Sequence, residues 1–199
     1  MKLPEQARKE LVQAKACIEA MKTSKARVDF EANWKSFLHC LERVWYKANA
    51  FYRTHQSWNG WKGKYCNIRK EDPLLSYLQN ARGAEEHSIG EIVHIKPGGI
   101  GIKPARGSDL YIDEMRIIDG KVFIRSPQIL KIVSIPSRIR LLPIVNSGIT
   151  YPVPNRHLGK PINPENVAEI AKAAVDFYEQ FLNEAEIFFK MKNPSADHS

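Results

Sequence analysis

Apolar residues recur at spacings of three and four along three stretches of the first 90 residues, and each stripe predicts a helix with one buried face. From Pro4 to about Ser24 the stripe is Ala7, Leu11, Ala14, Ile18 and Met21. Phe30, Trp34, Phe37, Leu38, Leu41, Trp45, Ala48 and Tyr52 then hold the same period for about seven turns, with Asp29 as a candidate cap. The third stripe lies in "EDPLLSYLQNARGAEEHS", where Asp72 can cap and Pro73 suits a first helical turn. Between the second and third, "QSWNGWKGKYCN" is rich in Gly, Asn and aromatic residues and predicts a loop.

Near Gly90 the period changes. Short β-branched runs follow, "EIVHI", "LYIDEMRII", "KVFIRS" and "LKIVSI", and Asp119-Gly120 between "MRII" and "KVFI" is a strong hairpin signal. A small, mostly antiparallel sheet of about four to six strands is expected. "PGGIGIKP" lacks the strand, glycine spacing and following helix of a phosphate-binding loop and reads as a hairpin turn. "YPVPNRHLGKPINPEN" crosses back, its prolines excluding a helix. From about Pro164 to Lys190, Val167, Ile170, Ala171, Ala174, Tyr178, Phe181, Leu182, Ala185 and Phe189 make a broad apolar face, which Asn163 or Asn166 could cap.

The expected class is therefore α+β, mainly α. Residues 1–90 supply three helices of a four-helix bundle, 91–160 an inserted antiparallel β subdomain, 161–190 the fourth helix and 191–199 a flexible tail.

Composition narrows the class without naming an activity. At 199 residues and 43% hydrophobic, the chain can bury a core, which excludes wholesale disorder. Thirty basic against 22 acidic residues leave +8, a bias toward polyanions such as RNA. Cys17, Cys40 and Cys66, odd in number and without CxxC spacing, argue against a disulfide framework and for a reducing cytoplasm. The amino terminus lacks the apolar stretch of a signal peptide, and no run approaches a membrane span, so no membrane partner is expected. His39 and Cys40 diverge by about 100° on a helix and make a poor metal pair, and no cofactor is expected.

Candidate chemistry concentrates in "RGAEEH". Arg82 falls inside the apolar arc of the third helix, whereas His87 lies about 140° away from it on a regular helix. Two routes could bring them together: Gly83 could let the helix distort or end early, or a two-fold dimer could place the Arg of one chain near the His of the other. The pair suits metal-free RNA cleavage. A histidine with an ordinary pKa of about 6.5 can move protons, typically worth about 10²–10⁴-fold, and an arginine fork can clamp the scissile phosphate with two hydrogen bonds. The bland alternatives are an Arg82 pairing with Glu85 or Glu86 and a His87 complementing the helix dipole.

This Arg followed after four residues by His resembles the signature of the HEPN superfamily, and "DPLLSYLQNARGAEEHS" and "YPVPNRHLGKP" are similar to bacterial proteins of that fold. The likeness covers about the first 90 and the last 35 residues and leaves out the inserted sheet. It implies a homodimeric, metal-independent RNA endonuclease, possible as a toxin or defence effector with an antitoxin or other protein partner, and it implies catalytic roles for Arg82 and His87. Other members of the superfamily are non-catalytic modules that bind RNA, a nucleotide or a protein. Many place a polar residue directly after the Arg, where this chain has Gly83.

A second candidate is RNA binding by the aromatic segment. Trp58, Trp61 and Tyr65 could stack on unpaired bases while Lys62, Lys64, Arg69 and Lys70 meet phosphates, or the rings could plug the bundle end. Arg156 and His157 form a lesser candidate anion site.

Overall fold

The computed structural model describes residues 4–24, 26–87, 93–135 and 138–192, with side chains for all but 84–87, 95–96, 138 and 191–192. The expected tail beyond residue 192 lies outside them. The architecture is α+β, with helices and small antiparallel ladders, in two compact units: residues 1–94 with 139–199, and residues 95–138.

Five helices occur among the described residues: α1 (Glu5–Thr23), α2 (Arg27–Tyr52), α3 (Trp58–Glu71), α4 (Pro73–His87) and α5 (Val167–Lys192). The stripe expected on α1 is buried in full, joined by Cys17. That on α2 is buried apart from Trp45, which is half-buried with its ring 5.1 Å from that of Phe181. Asp29 sits in the first turn of α2, where it complements the helix dipole, but Ala26 holds the cap position. Asn166 caps α5 by accepting the Glu169 N–H at 3.2 Å.

The segment expected as a loop is helix α3, so four helices become five. The reason lies in spacing. Trp58, Trp61 and Tyr65 stand three and four apart and share one face. That face packs on Tyr52, Phe181 and Phe189, with Trp58 stacked at 5.1 Å from Tyr52. Two glycines in a helix cost about 1 kcal/mol each relative to alanine, and burying three large aromatics outweighs that.

Within the helical unit, two short hairpins follow the return of the chain: β7 (Ile144–Asn146) with β8 (Ile149–Tyr151), and β9 (Arg156–His157) with β10 (Lys160–Pro161). Strand β7 lies on α4, where Ile144 is buried and the Tyr77 hydroxyl donates to the Leu142 carbonyl at 2.8 Å.

The second unit is a ribbon. Strands β2 (Gly99–Pro104) and β5 (Leu130–Ile135) form a six-pair antiparallel ladder, and β3 (Glu114–Ile118) pairs with β4 (Lys121–Arg125). The expected Asp119-Gly120 hairpin is present, with both residues at positive φ (49° and 74°) as such a turn requires. Strands β1 (Val93–Lys96) and β6 (Arg138–Leu141) pair with each other. The expected sheet of four to six strands is instead a set of separate two-stranded ladders, because each strand has a partner on one edge alone. "KPGG" is likewise a link between β1 and β2, which pair with β6 and β5, and not a hairpin turn.

Candidate functional site

Helix α4 carries the chemistry anticipated from the sequence, and its start is fixed first. Asp72 caps it: one carboxylate oxygen accepts the Leu75 N–H at 3.0 Å and meets His157 Nδ1 at 2.9 Å, while the other accepts the Leu158 N–H at 2.7 Å. Burial pushes the Asp72 carboxyl up, but the bonds from His157, Leu158 and Leu75 outweigh it and hold the group below its ordinary value. An ionised carboxylate can only accept, so Nδ1 of His157 carries the proton. His157 thus pins the β9–β10 hairpin to the helix start, and Arg156 beside it is exposed.

Helix α4 runs unbroken through Gly83 to His87, so the glycine neither ends nor distorts it. Its lack of a side chain has a different use. A Cβ at Gly83 would stand 3.0 Å from Asn146 Nδ2, and that amide donates to Asn80 Oδ1 at 2.9 Å. Asn146 on β7 therefore brings a polar group to the surface of α4 at the position where the sequence itself has none. Asn80 and position 87 fall within about 20° of each other around the helix axis.

Arg82 is half-buried and lines a crevice with Glu42, Gln79 and Tyr178, whose free volume of about 10 Å³ admits no more than one water. The His87 side chain lies outside the described residues. On the continuous helix, positions 82 and 87 diverge by about 140°.

The seven residues expected to bind RNA share α3 but mostly face inward. Trp58 and Tyr65 are buried and Trp61 is half-buried, so the rings are core and no open stacking platform. Lys62 donates to Asn49 Oδ1 at 2.8 Å, and Lys64 and the Tyr65 hydroxyl share Glu184. Arg69 is buried. Its Nη2 meets Glu42 at 2.6 Å, its Nε donates to the Tyr178 hydroxyl at 3.0 Å, and its guanidinium lies 4.1 Å from the centre of the Trp45 ring. Lys70 is exposed.

Sequence reasoning missed two features, the Asp72–His157 clasp and the Asn80–Asn146 pair, each joining residues more than 60 positions apart. Their local signals are weak, since neither pair has a characteristic spacing. Among the described residues, no group of three His, Cys, Asp or Glu side chains could hold a metal, and no helix is long and apolar enough to cross a membrane. No protein-family model matches the chain, and neither a curated protein nor a solved structure is significantly similar to it.

Proposed function

We propose that this chain is a HEPN-like helical module that works by binding a protein partner through its β-ribbon, and not by cleaving RNA. One observation carries the reading: the β3–β4 hairpin presents Met115, Ile117 and Val122 to solvent on one face. Exposed apolar side chains gathered on one face mark an interaction surface. The divergence of about 140° between positions 82 and 87 on the continuous helix supports the non-catalytic half. The test is incubation of the purified protein with mixed RNA in the presence of a chelator. Intact RNA is the expected result. Fragments ending in 2′,3′-cyclic phosphate, lost on His87→Ala, overturn it.

A second reading is the metal-independent endoribonuclease acting as a homodimer. The Asn80–Asn146 amide pair favours it, because it supplies a polar group on the face of α4 that position 87 shares. In that reading Arg82 must come from the opposite chain of a two-fold dimer to clamp the phosphate, while His87 moves protons. Its signature is cleavage abolished by Arg82→Ala and by His87→Ala, recovered when the two variants are mixed so that one composite site regains both groups.

A further inference from the structure

We propose that Cys17 and Cys40 form a reversible redox couple, oxidised to a disulfide by hydrogen peroxide, that staples α1 to α2. The couple lies in the helical unit and does not depend on what the β-ribbon binds.

Two polar contacts fix the register of these antiparallel helices. Toward one end, Glu10 bonds both Lys47 and Arg43, the latter at 2.9 Å; toward the other, the Asn33 amide donates to Ser24 Oγ at 3.4 Å. Seven residues complete two helical turns to within about 20°, so steps of seven stay on one face. Seven on from Glu10 is Cys17 and seven further is Ser24, while seven back from Lys47 is Cys40 and seven further is Asn33. The two outer contacts therefore bracket the cysteines, which meet midway along one seam. Cys17 is 4% and Cys40 0% exposed, and the Cys17 side chain is hydrogen-bonded to that of Cys40.

Their surroundings make the two sulfurs unlike. Arg43 Nη2 lies 3.6 Å from Cys40 Sγ, and this bond holds the guanidinium above its ordinary value. A fixed positive charge thus stands beside a sulfur that must shed its proton to act as a nucleophile. Burial, and then Cys40, push the Cys17 thiol up, so Cys17 keeps its proton and is suited to the second step.

Burial also selects the oxidant. Hydrogen peroxide is close to water in size and can reach enclosed sulfurs during small openings of the helix pair, whereas glutathione disulfide cannot. Cys66 on α3 is exposed and meets both reagents. In the first step the Cys40 sulfur attacks one peroxide oxygen, the O–O bond breaks, and the departing hydroxide takes the thiol proton as water, leaving a sulfenic acid. The Cys17 sulfur then attacks the Cys40 sulfur. The S–S bond forms, the sulfenic hydroxyl leaves, and the Cys17 proton completes a second water. A small dithiol reverses the bond, as befits a transient, sensing disulfide and not a permanent framework.

The experiment treats the reduced, folded full chain with hydrogen peroxide or with glutathione disulfide, blocks remaining thiols, and maps the peptides by mass. Peroxide should yield a Cys17–Cys40 linked peptide that dithiothreitol abolishes, and glutathione disulfide should modify Cys66 while sparing the pair. The oxidised chain should unfold at a thermal midpoint roughly 5–15 °C above the reduced one. Cys66→Ser should leave the link intact, and Arg43→Gln, a change at a half-exposed side chain, should slow its formation by roughly fivefold or more. Each variant is checked for helix content by circular dichroism. Wild type alone can decide the question: Cys17 and Cys40 both free after Cys66 has been oxidised by peroxide, or a link that forms only in denaturant, overturns the couple. A pair oxidised by glutathione disulfide as fast as Cys66 overturns the choice of oxidant, and a linked chain with an unchanged midpoint overturns the staple.

Discussion

The helical unit and the ribbon solve opposite problems with the same amino acids. In the helical unit, Trp34, Trp58, Tyr52, Phe37 and Phe181 are all fully buried, and its inward-facing Arg69 and Asp72 are hydrogen-bonded on several sides. In the ribbon, isoleucines and valines of equal hydrophobicity stand in water. Apolar content alone therefore does not make a core. A helix bundle closes around its stripes because every helix finds neighbours on its apolar side, whereas a two-stranded ladder has no second layer to supply them. The fully buried large side chains belong to the first unit, and the ribbon's apolar side chains stay exposed.

The largest effect that would break this contrast is in the aromatic cluster. Trp58→Ala should cost about 3–5 kcal/mol in denaturant unfolding, while Ile132→Ala in the ribbon should cost less than about 0.5 kcal/mol. Equal losses would mean that the ribbon has a core of its own. Next comes the buried cation. Arg69→Ala leaves Glu42 without its partner and should destabilise by about 3 kcal/mol. A variant of full stability with weakened RNA retention would instead make Arg69 a phosphate contact.

The clasp at the start of α4 is smaller. Asp72→Ala should cost about 1–2 kcal/mol at neutral pH through loss of the cap. Because the native carboxyl is held below its ordinary value, its contribution is complete above the unfolded value of about 3.9 and is lost as pH falls through the lowered native one. The stability gap between wild type and Asp72→Asn should therefore close below about pH 4 in acid titrations followed by circular dichroism. The smallest effect is at Gly83. Gly83→Ala gains up to about 1 kcal/mol in helix propensity but crowds Asn146, so alone it should be neutral or worse and in an Asn146→Ala background stabilising. A double-mutant cycle measures the coupling, and additivity would remove Asn146 from the surface of α4.

The stripes on α1, α2, α4 and α5 were legible because a helix period is local information, as were the Asp72-Pro73 start of α4 and the Asp119-Gly120 turn. Helix α3 is not legible as a helix because its composition, rich in Gly and Asn, outweighs the spacing of Trp58, Trp61 and Tyr65, whereas the alternative in which those rings plug the bundle end agrees with their burial. The candidate site was legible as a list of groups on one helix, including the angle between Arg82 and His87. Which of those groups had company was not.

What the sequence determined by itself, then, is where helices and turns can form and which face of each is apolar, since these follow from backbone geometry and side-chain chemistry within a few residues. Only the tertiary structure decided that Gly83 makes room for Asn146, that His157 spends its Nδ1 proton on Asp72, and that Arg82 lines a crevice beside Glu42. Those contacts join positions far apart in the chain, where no local periodicity constrains the pairing and packing alone selects the partner.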